Sequence, residues 1–265
     1  MKTLYLSDLD GTLLGSNQRL SPYALEVLNN FDGLFSYATA RSIVTASKVT
    51  AGFVPKIPAI CSNGSFILEL DSRKILQGKY FAQSEIDFAT QVISQSGTYP
   101  FVNTYLNDAE RVLFYRHENS AGFQKYLDDR QNDPRFMWID SAEGLFEGAV
   151  FSFIYVNELS RLKPLHETFA QDNRFYSLLH KDVYSPDWFL EILPKAANKA
   201  TAALELKKML GADRLVVFGD GANDIPMFEV ADESYAVANA IDELKAIATG
   251  IIGTNDNDSV VKFLQ

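Results

Sequence analysis

The sequence predicts an α/β protein: a Rossmann-like parallel-sheet core in three α/β/α layers, interrupted by an inserted α+β domain. Three observations support this prediction. Short apolar runs alternate with segments of helical spacing near the N-terminus. Between residues 82 and 187 the segments become more amphipathic, and the first pattern resumes afterwards. We therefore expect a core of residues 1–81 and 188–265, with residues 82–187 as the inserted domain.

The N-terminal part predicts three strand–helix units. An apolar run at residues 4–6 ends at polar residues, as a short buried strand does. Ser21 and Pro22 mark the start of the next helix, because serine caps a helix N-terminus and proline fits the first helical position. The other elements expected here are strands at residues 34–38 and 58–61, a helix from Ser42 and a hairpin at residues 65–76.

The middle and C-terminal parts are assigned from the same periodicities. The inserted domain is expected to contain strands at residues 102–106, 112–115 and 149–156 and helices at residues 120–130 and 158–170. After it we expect a helix at residues 197–210, a strand at 215–218, a helix from Ile225, a strand at 235–237 and a helix at 242–249. The polar run at residues 255–258 is expected to be a surface loop.

Composition narrows the possible functions. The net charge of −10 comes without a basic stripe, which disfavours nucleic acids and membrane surfaces as partners. An anion site in such a chain needs local cations, a metal or helix N-termini. The one cysteine, Cys61, lies in an apolar stretch and is expected to be a buried structural thiol. No apolar run approaches the ~18 residues of a membrane span, and the N-terminus turns acidic too early for a signal peptide, so a cytoplasmic protein is expected.

Polar side chains follow the expected strands at the points where the strands end. In an open parallel sheet, ligands bind outside those carboxyl ends, at the switch point of the topology. If the strand at residues 215–218 returns beside the first strand, Asp8 and Asp220 become neighbours there. The side chains in question are Asp8, Asp10, Thr39, Arg41, Asn63, Asp220, Asn223 and Asp224.

The segment at residues 8–12, DLDGT, can place two aspartates in one cleft. Asp8 and Asp10 are two residues apart in a strand-to-turn stretch, and Gly11 permits a tight turn. One carboxylate can then serve as a nucleophile and metal ligand while the other carries a proton. Alone, such a pair is more often a solvated turn, but its place after a buried first strand favours a site.

The segment at residues 219–224, GDGAND, adds oxygen ligands between an apolar strand and a helix. Several aspartates that converge on one point repel one another unless a cation balances them, and hard oxygen ligands suit Mg²⁺. Lys199, at the start of a helix, is the natural counter-charge, with Lys195 as a competitor. The three histidines, His117, His166 and His180, show no metal-ligand spacing.

These segments resemble the haloacid dehalogenase (HAD) superfamily of phosphatases. Residues 8–12 resemble its first motif, DxDGT; Thr39-Ala40-Arg41 resembles the second, with Ala40 at the usual glycine; Lys199 resembles the third; and residues 219–224 resemble the fourth, GDxxND. The four occur in the family's order. The long insertion, and residues 190–195 leading into Lys199, resemble the Cof-like branch with its C2-type cap.

The resemblance implies a phosphatase that uses Mg²⁺. It implies that Asp8 attacks phosphorus and forms an aspartyl phosphate, and that Asp10 protonates the leaving oxygen and then activates water. It implies that the Asp8 carboxylate, the Asp10 backbone carbonyl and Asp220 hold the metal.

The resemblance also implies a phosphate-binding set. Thr39, Ala40 and Lys199 would hold the phosphoryl oxygens, and Asn223 would orient the phosphoryl group or Lys199. Asp224 would support the metal from behind its ligands. Arg41 and Asn63 are further candidates at the same edge of the sheet.

Several alternatives remain open at this stage. The expected substrate is a small phosphate monoester, such as a sugar phosphate, flavin mononucleotide or pyridoxal phosphate. A phosphomutase or a non-catalytic binding protein could use the same scaffold, whereas a signalling receiver domain is about half this length. The inserted domain would set specificity, and the candidate lining residues are Tyr105, Phe114, Tyr184 and Trp188. The oligomeric state does not follow from the sequence.

Overall fold

The computed structural model describes residues 1–107, 109–181 and 187–265. The chain divides into two compact units: Met1–Gly78 together with Ala197–Gln265, and Lys79–Ala196. In the described parts of the chain, no helix is long and apolar enough to cross a membrane.

The structure contains the following elements, numbered in chain order. The strands are β1 (Thr3–Ser7), β2 (Leu34–Tyr37), β3 (Ala59–Cys61), β4 (Phe66–Leu68), β5 (Ile75–Gly78), β6 (Phe101–Leu106), β7 (Ala109–Tyr115), β8 (Phe136–Ile139), β9 (Ala149–Asn157), β10 (Phe175–Lys181), β11 (Trp188–Pro194), β12 (Arg214–Gly219), β13 (Glu233–Ala236) and β14 (Gly250–Ile251). The helices are α1 (Pro22–Asn30), α2 (Ile43–Val49), α3 (Gln83–Ser96), α4 (Ala121–Asp128), α5 (Leu159–Ala170), α6 (Lys199–Leu210), α7 (Ile225–Val230), α8 (Asp242–Ile247) and α9 (Ser259–Phe263).

A five-stranded parallel sheet organises the first unit. Its order is β14-β13-β12-β1-β2. The apolar side chains of the central strands, including Leu4, Leu6 and Val217, are fully buried, as expected of a parallel sheet covered by helices on both faces. A smaller antiparallel sheet, β3-β4-β5, joins its edge through a bridge from Ala38 to Ile60. The predicted α/β fold class is confirmed.

A six-stranded sheet organises the second unit. Its order is β10-β11-β9-β6-β7-β8, antiparallel except for the pair β7 and β8. Strand β11 pairs with β9 and β10 and therefore lies in this unit, whereas the sequence placed residues 188–194 in the core. The compact units divide after Gly78 and after Ala196, whereas the sequence predicts divisions after residues 81 and 187.

Two short C-terminal elements were not anticipated. Strand β14 has only two residues, and helix α9 only five, so neither has enough periodicity to stand out. The expected surface loop at residues 255–258 is also different: Asn255 is 7% exposed and begins a short helical turn. Asn255 donates to the backbone carbonyl of Leu14, and Asp256 accepts from the backbone N–H of Ser16. A local polarity pattern does not reveal such distant partners.

The aromatic residues considered for specificity lie in the second unit. Phe114 belongs to its core, with ring centroids 6.0 Å from Phe101 and 6.1 Å from Phe123, so packing accounts for it. Trp188 packs partly buried against the larger core cluster. The Tyr105 ring lies 6.0 Å from that of Phe151. Tyr184 lies outside the described residues.

Candidate active site

The site lies where three neighbouring strands of the parallel sheet end. Strand β1 runs between β12 and β2, so the residues after these strands meet at one edge. Ser7 is in register with Phe218 on one side and with Tyr37 on the other. The backbone N–H of Asp8 donates to the carbonyl of Phe218 at 2.9 Å, which fixes Asp8 directly beside the end of β12. This is the switch point at which open parallel sheets bind ligands.

Lys199 forms a buried ion cluster with two aspartates. Its Nζ donates to Asp8 Oδ1 at 2.6 Å and to Asp224 Oδ1 at 2.7 Å. The lysine and Asp224 side chains are fully buried, and that of Asp8 is 8% exposed. A lysine at the first turn of a helix opposes the helix dipole, and here the carboxylates offset that effect. Asn198 caps the same helix by accepting from the N–H of Thr201 at 2.8 Å, which fixes the start of α6.

Asp220 faces the same cluster and is held by the first motif. Thr12 Oγ1 donates to Asp220 Oδ1 at 3.1 Å. Burial raises the pKa of Asp220 to about 6; the Asp224 carboxylate adds to the shift, and Lys199 opposes it. Burial also raises the pKa of Asp8 well above its ordinary value, opposed by Lys199 and reinforced by Asp224 and Asp220. One ammonium group therefore balances three carboxylates incompletely, which favours a further cation.

The geometry of the three aspartates fits a divalent metal. Each offers a carboxylate oxygen, and these oxygens lie within 4.8 Å of one another. Asp224 is already engaged: its Oδ1 accepts from Lys199, and its Oδ2 accepts from the backbone N–H groups of Asp220 and Gly221 at 3.0 and 3.1 Å. Asp8 and Asp220, each with only Oδ1 engaged by a described side chain, could therefore hold a metal, with Asp224 holding the loop behind them.

Asp10 lies at the exposed side of the site and is paired with Arg41. The guanidinium makes a two-pronged contact, from Nε to Asp10 Oδ2 at 2.6 Å and from Nη2 to Oδ1 at 2.5 Å. The Asp10 side chain is 47% exposed, so it remains accessible to a bound molecule. Gln18 Oε1 accepts from the same Nη2 at 3.1 Å. Arg41, a further candidate from its position at the edge of the sheet, thus lies against the predicted acid–base residue.

Thr39 is fully buried and shapes the loop after β2. Its Oγ1 accepts from the backbone N–H of Arg41 at 3.1 Å, and its backbone carbonyl accepts from the backbone N–H of Asn63 at 3.0 Å. Ala40, which stands where the resemblance has its usual glycine, is exposed. The loops after β2 and β3 are therefore joined directly at the edge of the sheet.

Asn63 and Asn223 are brought together from sequence-distant loops. Asn223 Nδ2 donates to Asn63 Oδ1 at 3.1 Å, and Asn63 is 3% exposed. Asn63 has a φ of 51°, a left-handed conformation that asparagine tolerates better than most residues. The next residue, Gly64, packs so closely that a Cβ would lie 2.3 Å from the carbonyl oxygen of Asn198. The loop after β3 is thereby docked against the start of α6.

Gly11 provides a sharp mutational test of this packing. Its φ is +72°, and an added Cβ would lie 2.3 Å from Asp220 Oδ2. We expect Gly11→Ala to displace the Asp220 carboxylate and to lower the kcat/KM of a reaction catalysed at this site by about 100-fold, because displacements near 1 Å at a reacting centre can have effects of that size.

Gly97→Ala is the matched control for this substitution. Gly97 also has a left-handed φ, +63°, but its Cβ would meet open space. It should lower stability by about 1 kcal/mol and leave the rate unchanged. Equal rates for Gly11→Ala and the wild type would contradict the close approach to Asp220.

An open parallel sheet with acidic and basic side chains gathered at its carboxyl edge is the arrangement of Rossmann-like α/β proteins, which bind ligands at this edge. A family model described as haloacid dehalogenase-like hydrolase matches residues 5–264, and the chain belongs to that family. The resemblance noted in the sequence is thereby confirmed.

Two relatives of known name match nearly the whole chain. 5-Amino-6-(5-phospho-D-ribitylamino)uracil phosphatase YitU of Bacillus subtilis is 26% identical over 97% of this chain and 94% of its own length. Pyridoxal phosphate phosphatase YbhA of Escherichia coli is 25% identical over 97% of this chain and 95% of its own. Among solved structures, a haloacid dehalogenase-like hydrolase from B. subtilis superposes with a TM-score of 0.79 at 20% identity, covering 100% of this chain and 99% of the other.

The structure brings together most of the site residues expected from the sequence and adds three features. Thr12 acts on Asp220, Asn198 caps the helix that carries Lys199, and Arg41 pairs with Asp10. The Asn198 cap had a local signal, since asparagine before a helical run is a standard N-cap. The other two contacts join residues far apart in sequence and have no local signal.

Proposed function

We propose that this protein is a Mg²⁺-dependent phosphatase that hydrolyses a small phosphate monoester through an aspartyl-phosphate intermediate. The observation that supports it best is the buried Asp8, Lys199 and Asp224 cluster beside Asp220. Together, these side chains offer a nucleophile, an ammonium for phosphate oxygens and ligands for a metal. The family assignment and the names of the relatives point to the same chemistry.

Each residue of the site has a role in this proposal. Asp8 supplies the attacking oxygen, and Lys199, which already holds Asp8 Oδ1, keeps the carboxylate oriented and binds phosphoryl oxygens. Asp8 and Asp220 hold Mg²⁺, together with the Asp10 backbone carbonyl as the resemblance implies; the bound ion would offset phosphate charge. Asp224 retains Lys199 and the loop that carries Asp220.

Proton transfer falls to Asp10 in this proposal. Its exposed carboxyl group, when protonated, can give its proton to the leaving oxygen, and the carboxylate that results can later take a proton from the attacking water. Arg41 holds both oxygens of that carboxylate and so fixes its orientation in the absence of substrate. Thr39 and Asn223 complete the phosphate-binding set from the two flanking loops.

Substrate class is proposed from the relatives and from the charge of the chain. The names of two relatives specify small phosphorylated compounds, one of them pyridoxal phosphate. We propose a sugar phosphate or a phosphorylated cofactor as substrate, with the second unit, Lys79–Ala196, as the cap that selects it.

The net charge of −10 disfavours nucleic acid as a partner. A reducing, cytoplasmic location fits the single buried free thiol, Cys61.

A metabolite panel tests the proposal directly. Phosphate release is measured from sugar phosphates, flavin mononucleotide and pyridoxal phosphate, with Mg²⁺ and with a chelator. We expect release that depends on Mg²⁺ and returns when the metal is restored, because the three aspartates leave negative charge that Lys199 alone does not balance. Equal release in the chelator would contradict the metal-dependent mechanism, and no release from any compound would favour a mutase or a binding protein.

A further inference from the structure

An asparagine outside the four motifs contacts the turn that carries Asp10. Asn239 follows β13, and its Nδ2 donates to the carbonyl of Gly11 at 2.8 Å. Its own loop is tied to the fourth motif, because Ile241 N–H donates to the carbonyl of Asp220 at 2.9 Å. Asn239 thus links the turn after β1 to the loop after β12.

The C-terminal run at residues 255–258 holds Asn239 and the same turn from the other side. The backbone N–H of Asn255 donates to Asn239 Oδ1 at 3.1 Å, and Asn255 Nδ2 donates to the carbonyl of Leu14 at 2.9 Å. Asp256 accepts from both the backbone N–H and the Oγ of Ser16, each at 2.7 Å. The segment from Gly11 to Ser16 is therefore bound at three points by residues that lie 228, 241 and 240 positions away in sequence.

The position of Gly11 matters for the chemistry of the site. Gly11 abuts Asp220 so closely that no side chain fits, and it directly follows Asp10. A shift of the Gly11 peptide would move the Asp10 carbonyl and carboxylate relative to Asp8 and Asp220. An amide suits position 239 because it donates to one carbonyl and accepts from one N–H at the same time.

We infer that Asn239 is a positioning residue for the reaction: by holding the Gly11 carbonyl, it sets the placement of Asp10, and Asn255 and Asp256 fix the rest of the same turn. The inference rests on the proposed phosphatase function. It assigns a role to the polar run at residues 255–258, which would otherwise be a solvated loop.

Asn239→Asp tests the inference with little change of shape. The carboxylate still accepts from Asn255 N–H but cannot donate to Gly11, so the turn loses its anchor. We expect kcat to fall about 10- to 100-fold with KM changed far less, because misplacement of a catalytic group has effects of this size. Asn239→Ala should behave in the same way without the added charge, and Asn239→Gln, which keeps both functions, should recover part of kcat.

Asn257→Asp is the matched control, since Asn257 is exposed in the same C-terminal turn and the substitution makes the same change of charge. Hydrogen–deuterium exchange of a peptide spanning residues 9–21 gives a readout that does not depend on activity. We expect faster exchange in Asn239→Asp and Asn255→Ala than in the wild type and in Asn257→Asp.

The outcomes separate this inference from the proposed function. The positioning role would be overturned if Asn239→Asp kept the wild-type kcat and the wild-type exchange rate. It would also be overturned if Asn239→Asp lost no more kcat than Asn257→Asp. Neither outcome would contradict the proposed phosphatase function. If the wild-type protein itself released no phosphate from any compound, the proposed function would fail. The exchange comparison would still show whether Asn239 holds the turn.

Discussion

Asp8→Asn should abolish turnover while the protein remains folded. The substitution removes the attacking oxygen and keeps the shape of the side chain, so phosphate release should fall on the order of 10⁴-fold or more. The variant should also fail to form a phosphorylated protein when it is mixed with substrate and quenched with acid. The measurements are steady-state phosphate release and detection of the acid-trapped phosphoprotein.

The stability of Asp8→Asn distinguishes loss of chemistry from loss of fold. Burial raises the pKa of Asp8 well above its ordinary value, so the charged carboxylate is unfavourable in the metal-free protein. Replacing it with an amide relieves repulsion from Asp224 and Asp220, and Lys199 retains Asp224 as a partner. We therefore expect a Tm equal to or above that of the metal-free wild type. The gain in Tm on adding Mg²⁺ should shrink, because a metal ligand is lost.

Asp32→Asn is the matched control for this experiment. Asp32 is exposed in the turn between α1 and β2, and its substitution makes the same change of charge and shape. It should leave both rate and Tm unchanged. A well-folded Asp8→Asn protein that releases phosphate at the wild-type rate would exclude Asp8 as the nucleophile.

The site was predictable from sequence where its chemistry is local. Asp8 and Asp10 follow a short apolar strand, and Asp220 follows another, so the rule for parallel sheets places them at one edge. The order of the strands confirms that β1 and β12 are neighbours. The partners of Lys199 were harder to predict from the sequence, because an isolated lysine at a helix start is usually a solvated charge.

The remaining contacts depend on tertiary packing that leaves no local signal. The sequence makes Arg41 a candidate by its position at the sheet edge, but it gives no sign that Arg41 holds both oxygens of Asp10 across 31 positions of sequence. Asn239 stands alone in an apolar run and Asn255 lies in a polar run that looks solvated, and only the fold brings them to Gly11 and Leu14. The unit that contains β11 has no local signal for a related reason, since strand pairing rather than composition determines it.

Lys199→Met should produce the largest loss of stability among single substitutions in the site. It removes the ammonium and leaves the Asp8 and Asp224 carboxylates buried without their cation. Removing one partner of a buried ion pair lowers the free energy of unfolding by about 3–5 kcal/mol. Phosphate release should fall as well, since the phosphoryl oxygens lose their counter-charge. Urea unfolding of the metal-free proteins measures the first effect.

Lys207→Met is the control on the same helix. Lys207 Nζ pairs with Asp232 at 2.8 Å, but the two side chains are 22% and 44% exposed. Surface pairs of this kind contribute about 1 kcal/mol or less. If Lys199→Met lost no more unfolding free energy than Lys207→Met, the result would contradict the buried cluster.

The pH dependence of Lys199→Met tests whether its deficit, the loss of unfolding free energy relative to the wild type, has an electrostatic origin. Burial alone would lower the pKa of Lys199, but the Asp224 and Asp8 carboxylates outweigh it and hold that pKa above its ordinary value. The lysine therefore stays charged in the wild type from pH 5 to 8. In the variant the already raised pKa of Asp8 rises further, so the folded state binds a proton more tightly than the unfolded state. Stability of the variant then increases as pH falls, and its deficit relative to the wild type should be smaller at pH 5 than at pH 8. A deficit of the same size at pH 5 and pH 8 would mean that lost packing of the lysine stem, rather than unbalanced charge, sets the effect.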